Sequence, residues 1–181
     1  ARTKGSPQGS VISPLLSNLF MHYAFDEWLR RSFPAVQFAR YADDAIVHAR
    51  SLAEAEMLLD AIRQRLAECC LELHPEKTKI VYCQDDDRRG THEHTSFDFL
   101  GYTFRFDRDL FGRSGRYLNV LPSKRSLARF RDRMRELTAS CRGLVPVDDL
   151  VREVTRYLAG WGRYFGYGYP RRVFNRADTF V

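Results

Sequence analysis

Apolar positions recur at helical spacing in several long stretches of the chain and at strand spacing in several shorter ones. Leu15, Leu16, Leu19, Phe20 and Tyr23 repeat at intervals of three and four, which predicts an amphipathic helix. Ser13 suits its N-cap, Pro14 suits its first helical position, and Pro34 ends it. Residues 37–41 and 45–49 are short apolar runs, so two strands are expected with a tight turn at Ala-Asp-Asp-Ala between them. Ser51 and Glu54 stand at capping-box spacing ahead of Leu58, Leu59, Ile62 and Leu66, which predicts a second helix. A turn at Pro75 leads to a strand expected around 79–83, followed by a polar loop over 84–96. Residues 97–106 and 116–122 read as the two strands of a hairpin. Beyond Pro122 the period changes to helical. Leu127, Phe130, Met134 and Leu137 line one side of a helix over 123–137, and a linker at 143–149 leads to a further helix.

This order predicts an α+β fold with an antiparallel sheet and packed helices up to about residue 122, and an all-helical part over 123–181. With 181 residues, 44% of them hydrophobic, the chain can build a real core. No apolar run approaches the roughly 20 residues of a membrane span, so no membrane partner is expected. Cys69, Cys70, Cys83 and Cys141 form no CxxC pair and read as free thiols of a cytoplasmic protein.

Charge sharpens the division. Residues 1–100 hold 12 Lys/Arg against 15 Asp/Glu, a balance of −3. Residues 101–181 hold 17 against 8, a balance of +9, and 16 of those 17 are arginine. A planar guanidinium suits phosphate better than an ammonium does, so the basic half points to a nucleic-acid partner. Arg125, Arg129, Arg131, Arg133 and Arg135 flank the apolar side of the 123–137 helix and are the candidate RNA contacts. The alternative is an amphipathic helix that uses its arginines for solubility.

Candidate chemistry centres on Asp43 and Asp44. Aspartate is a common turn former, so a solvated turn is one reading. Flanking strands would instead deliver the carboxylates to the floor of a cleft, where oxygen ligands with substrate phosphates suit Mg²⁺. Other candidates are weaker. His92, Glu93 and His94 lack further ligands at zinc spacing, the acidic run at 84–89 reads as a solvated loop, and His48 and His74 read as packing or turn residues. No G-x-S-x-G elbow supports a hydrolase.

Four blocks now stand in a fixed order: GSPQGSVISPLLSNLF at 5–20, YADD at 41–44, LELHPEKTKIV at 71–81 and FLGYTF at 99–104. Together they resemble palm motifs B, C, D and E of bacterial group II intron reverse transcriptases. The tail, with GWGRYFG and VFNRADTFV, resembles that family's thumb, or maturase-specific, domain.

The resemblance implies an RNA-directed DNA polymerase and intron maturase with roles for particular residues. Asp43 and Asp44 would be the metal-binding catalytic pair, with Mg²⁺ or Mn²⁺ as cofactor and Asp44 in the supporting role. Tyr41 and Ala42 would shape the floor near the primer end and the incoming nucleotide. Pro7, Gln8 and Gly9 would lie beside that nucleotide and the template. Lys77, or less favourably Lys79, would donate a proton to the leaving pyrophosphate. Phe99, Leu100, Gly101 and Tyr102 would form the primer grip. The implied partners are group II intron RNA, an RNA template with a DNA primer, and dNTP.

The chain departs from the family pattern in one respect. Only six residues precede Pro7, so the motif A aspartate and the fingers are not expected within it, and the chain alone is expected to lack polymerase activity. An exposed palm edge is then expected to favour self-association. A non-catalytic RNA-binding module that assists intron folding is the alternative, and a decayed mobile element a third reading.

Overall fold

The computed structural model describes residues 11–84, 92–108 and 115–180. The chain divides into two compact units, Ala1–Ile80 and Val81–Val181. The expected division near residue 122 falls inside the second unit, where the last strand hands over to a helix.

In the first unit, helix α1 (Ser13–Met21) runs through a π-helical segment (His22–Glu27) into α2 (Trp28–Ser32). Ser13 is the first helical residue rather than the cap, and Pro14 lies in the first turn. Strands β1 (Phe38–Tyr41) and β2 (Asp44–Val47) pair antiparallel, with Tyr41 opposite Asp44. Helix α3 (Leu52–Glu68) starts at the expected cap: Ser51 Oγ accepts from the Glu54 amide at 3.1 Å. The Glu54 carboxylate reaches back to the Arg50 amide, one residue before the cap, at 2.6 Å.

Phe25, Leu29, Ile62 and Leu66 form the core of this unit, with Phe38 and Val47 of the hairpin packed against it. The apolar face of α1 is different. Leu15, Leu16, Leu19, Phe20 and Tyr23 are all exposed. The period that predicts a helix is therefore right, but this face is not part of the core of the unit. Residues 79–83 are not a strand, although the Tyr82 amide donates to the His94 carbonyl at 2.8 Å.

The second unit holds β3 (Ser96–Phe99), β4 (Tyr102–Arg108) and β5 (Arg116–Pro122), paired in that order and antiparallel. The stretch expected as one strand over 97–106 is thus itself a hairpin, turning at Leu100 and Gly101. Helix α4 (Lys124–Leu137) is capped by Ser123, and α5 (Val147–Tyr164) and α6 (Arg171–Phe180) follow a short 3₁₀ turn at Ser140–Arg142. Phe130, Met134, Leu137 and Ala177 are its helical core, closed by Val154, Tyr157, Leu158 and Trp161. Cys69, Cys70 and Cys141 are free thiols. Among the described residues no helix is long and apolar enough to cross a membrane.

Candidate functional site

The two aspartates sit on a two-residue turn. β1 ends at Tyr41 and β2 begins at Asp44, which leaves Ala42 and Asp43 as the turn itself. Ala42 has φ of 55°, a left-handed conformation that suits hairpin geometry but strains a residue with a Cβ by about 1–2 kcal/mol. Small size limits the clash. Tyr41, Ala42, Asp43 and Asp44 are all exposed, so the carboxylates are accessible to a ligand.

The strained turn is tied down from behind. Arg40 directs Nε and Nη2 to the two oxygens of Asp26, each at 2.7 Å. Its Nη1 donates to the Ala42 carbonyl at 2.7 Å and to Asn18 Oδ1 at 3.2 Å. Asp26 lies in the π-helical segment and is buried. The guanidinium bond holds the Asp26 carboxyl below its usual range, and the same bond raises Arg40. Sequence reading missed this arginine, because its partner stands 14 positions away and no local spacing marks the pair.

Lys77 is exposed on the turn after His74, whose carbonyl accepts from the Lys77 and Thr78 amides. No hydrogen bond or ion pair joins its ammonium to Asp43 or Asp44. Lys79 is likewise exposed. Pro7, Gln8 and Gly9 lie outside the described residues.

Two neighbouring carboxylates supply hard oxygen donors, the chemistry that Mg²⁺ or Mn²⁺ accepts, with substrate phosphates completing the shell. The pair fits such an ion as part of a larger set. Among the described residues no group of three His, Cys, Asp or Glu side chains is placed to hold a metal. The histidines of the 92–94 segment are engaged otherwise. His92 stacks on Tyr82 at 3.9 Å and His94 lies 3.8 Å from Glu93.

The second turn belongs to the other compact unit. Phe99 pairs with Tyr102, so Leu100 and Gly101 form a two-residue loop with φ of 51° and 81°. Positive φ at both positions is the type I′ signature, which normally favours Asn-Gly. Gly101 also meets a packing limit, since a Cβ there would lie 2.9 Å from Ser126 Oγ. The start of α4 clamps the turn: the Ser123 amide and the Ser126 hydroxyl both donate to the Gly101 carbonyl, each at 2.8 Å. Aromatic rings continue the support. Tyr102 lies 5.0 Å from Phe165, Phe165 5.0 Å from Trp161, and Trp161 4.6 Å from Phe130. Burial, with Tyr164 alongside, raises the Tyr102 phenol above its ordinary value.

The five arginines of α4 separate into two sets. Arg133 pairs with Glu136 at 2.9 Å and lies 3.6 Å from Glu153. Arg135 pairs with Asp132 at 3.0 Å and covers the Phe180 ring. Arg125, Arg129 and Arg131 are exposed and, among the described residues, meet no acid.

Comparison with known proteins decides the family. Residues 1–104 match the model of the reverse transcriptase (RNA-dependent DNA polymerase) family, and residues 127–181 match the maturase-specific domain of group II introns. The chain belongs to the group II intron reverse transcriptase/maturase family. The polymerase match includes the YADD turn and ends at Phe104, so the Leu100–Gly101 turn lies within it. The maturase match begins at Leu127, within α4, and takes in α5 and α6. The chain is also similar to Protein YkfC of Escherichia coli (strain K12). The two are 27% identical over 159 residues, covering 70% of this chain and 39% of YkfC. The chain thus spans well under half the length of that relative.

Proposed function

We propose that this chain carries the catalytic aspartate hairpin and the RNA-binding helices of an RNA-directed DNA polymerase that also serves its intron as a maturase. The observation that carries the reading is the YADD turn, exposed at the junction of two paired strands within the polymerase match. Asp43 and Asp44 would hold the divalent metal, Mg²⁺ or Mn²⁺. Their exposure leaves room for a third carboxylate from elsewhere in the polypeptide and for the triphosphate of a dNTP. Bound there, such an ion would lower the pKa of the primer 3′-hydroxyl and offset charge on the phosphates. Tyr41 and Ala42 floor the site under the primer end and the incoming nucleotide. Pro7, Gln8 and Gly9 meet that nucleotide and the template.

Lys77, or Lys79, gives its proton to the leaving pyrophosphate as charge develops on it. Among the described residues neither is tied into an ion pair, which leaves the ammonium available. The rigid turn of Phe99, Leu100, Gly101 and Tyr102 holds the primer strand. The α4 arginines meet the phosphates of the template or of the group II intron RNA. Among the described residues, Arg125, Arg129 and Arg131 are the ones whose charge is not already neutralised by a neighbour.

Primer extension by the full-length protein, on an RNA template with a DNA primer, dNTP and Mg²⁺, tests this reading. Synthesis of DNA is expected, and none in either metal contradicts it. A second reading is a non-catalytic RNA-binding module. The lack of a third metal-binding side chain beside Asp43 and Asp44 among the described residues favours it for these residues alone. Salt-sensitive RNA binding without DNA synthesis distinguishes it. Self-association belongs to either reading, because among the described residues β1 and β2 pair only with each other and the apolar face of α1 is exposed. Light scattering that rises with concentration is the expected result.

A further inference from the structure

We propose that Arg40 is a positioning residue for the aspartate turn, coupling the π-helical segment to the direction in which Asp43 points. The inference rests on the polymerase reading of Asp43. Four of the five N–H donors of Arg40 are committed: two to Asp26, one to Asn18 and one to the Ala42 carbonyl. Both members of the ion pair are shielded, with side chains 10% and 11% exposed. The guanidinium is therefore fixed at one end before it reaches the turn.

What it grips at the other end matters. The Ala42 carbonyl belongs to the same planar peptide unit as the Asp43 amide. Holding that oxygen fixes the plane from which the Asp43 side chain departs. Ala42 has the left-handed conformation that a residue with a Cβ otherwise avoids, so the turn needs an external hold to keep one geometry. The Asp26 carboxylate balances the guanidinium charge, so the turn is oriented without an uncompensated cation behind the metal-binding carboxylates. Lysine cannot substitute. Its ammonium is a point charge and cannot make a planar two-point contact with Asp26 while donating to Asn18 and Ala42 from another edge.

A merely structural ion pair and a positioning residue make different predictions. Replacing both members of a shielded pair by apolar groups of similar volume is often harmless to stability, whereas breaking one member is not. In the full-length protein, Arg40→Lys is expected to lower kcat for primer extension roughly 100-fold, the loss expected of a catalytic group displaced by about an ångström. The KM for dNTP should stay within about twofold, since the change is not in nucleotide binding. Amides of residues 41–44 should exchange faster in Arg40→Lys while those of α3 keep their protection. The Asp26→Leu/Arg40→Met double variant should recover the wild-type melting temperature but not kcat.

Wild-type kcat in the folded double variant, or unchanged exchange at 41–44 in either variant, overturns the proposal. Loss of α3 protection in both variants assigns the pair to folding alone and overturns it as well. If the wild-type protein makes no DNA, the polymerase reading has failed, and exchange at 41–44 still decides whether Arg40 holds the turn.

Discussion

Tyr102 and Tyr164 bind each other's surroundings in both directions. The Tyr102 hydroxyl donates to the Tyr164 carbonyl, and the Tyr164 hydroxyl donates at 2.8 Å to the carbonyl of Leu100, two residues before Tyr102. The end of α5 is thereby fastened to the turn between β3 and β4. Tyr164→Phe removes one of these bonds and keeps the ring. It should lower the stability of the second unit by about 1 kcal/mol and speed amide exchange at residues 100–102. Unfolding curves followed with exchange mass spectrometry check both.

Gly101 makes a sharper prediction. Its φ of 81° strains any side chain, and a Cβ would meet Ser126 Oγ at 2.9 Å. Gly101→Ala should cost about 1–2 kcal/mol from conformation alone, with a further loss as Ser126 is displaced. Adding Ser126→Ala should relieve the clash without restoring wild-type stability, because it also removes the hydroxyl that donates to the Gly101 carbonyl. Equal stabilities of Gly101→Ala and the wild type in denaturant titration would argue against the clamp.

Acid should weaken the first unit through Asp26. Arg40 holds this carboxyl below the ordinary aspartate value of 3.8, so the folded state binds fewer protons than the unfolded state just below that value. The stabilising contribution is complete above the ordinary value and is lost as pH falls through the folded value. Melting temperature should therefore drop as pH is lowered from about 5. In the Asp26→Asn protein the starting stability should be lower and this part of the pH dependence absent.

Much of this fold was readable from local patterns, and the failures share a cause. Helix α3 was clear because its cap and apolar face are both local: Ser51 caps it, and Leu58, Ile62 and Leu66 are buried. The YADD turn was clear because apolar runs bracket it. The Leu100–Gly101 turn was missed because Leu seldom takes positive φ, and only contacts from Ser123, Ser126 and Tyr164 explain why it does so here. The strand expected at 79–83 failed because strand propensity does not supply a paired neighbour. Periodicity identified α1 but could not say that its apolar face is exposed. The placement of Asp43 was readable; the Arg40 bond that holds its peptide plane was not, since it depends on a partner in another element.

The arginines of α4 should separate in RNA binding. Arg125, Arg129 and Arg131 meet no acid among the described residues, so each replaced by Gln should reduce the dependence of binding on salt by about 0.7–0.9 in log–log slope if it meets a phosphate. Arg133→Gln and Arg135→Gln should change that slope less and lower helix stability instead, because their charges are already paired. Titrations of group II intron RNA at several salt concentrations check the division.

The central claim is that Asp43 holds metal for nucleotidyl transfer, and Asp43→Asn in the full-length protein tests it most directly. The substitution keeps the shape of the side chain and removes its charge. Primer extension on an RNA template should fall by about 1,000-fold or more in Mg²⁺, while RNA affinity and melting temperature stay near wild type. DNA synthesis at the wild-type rate by the Asp43→Asn protein would contradict the account.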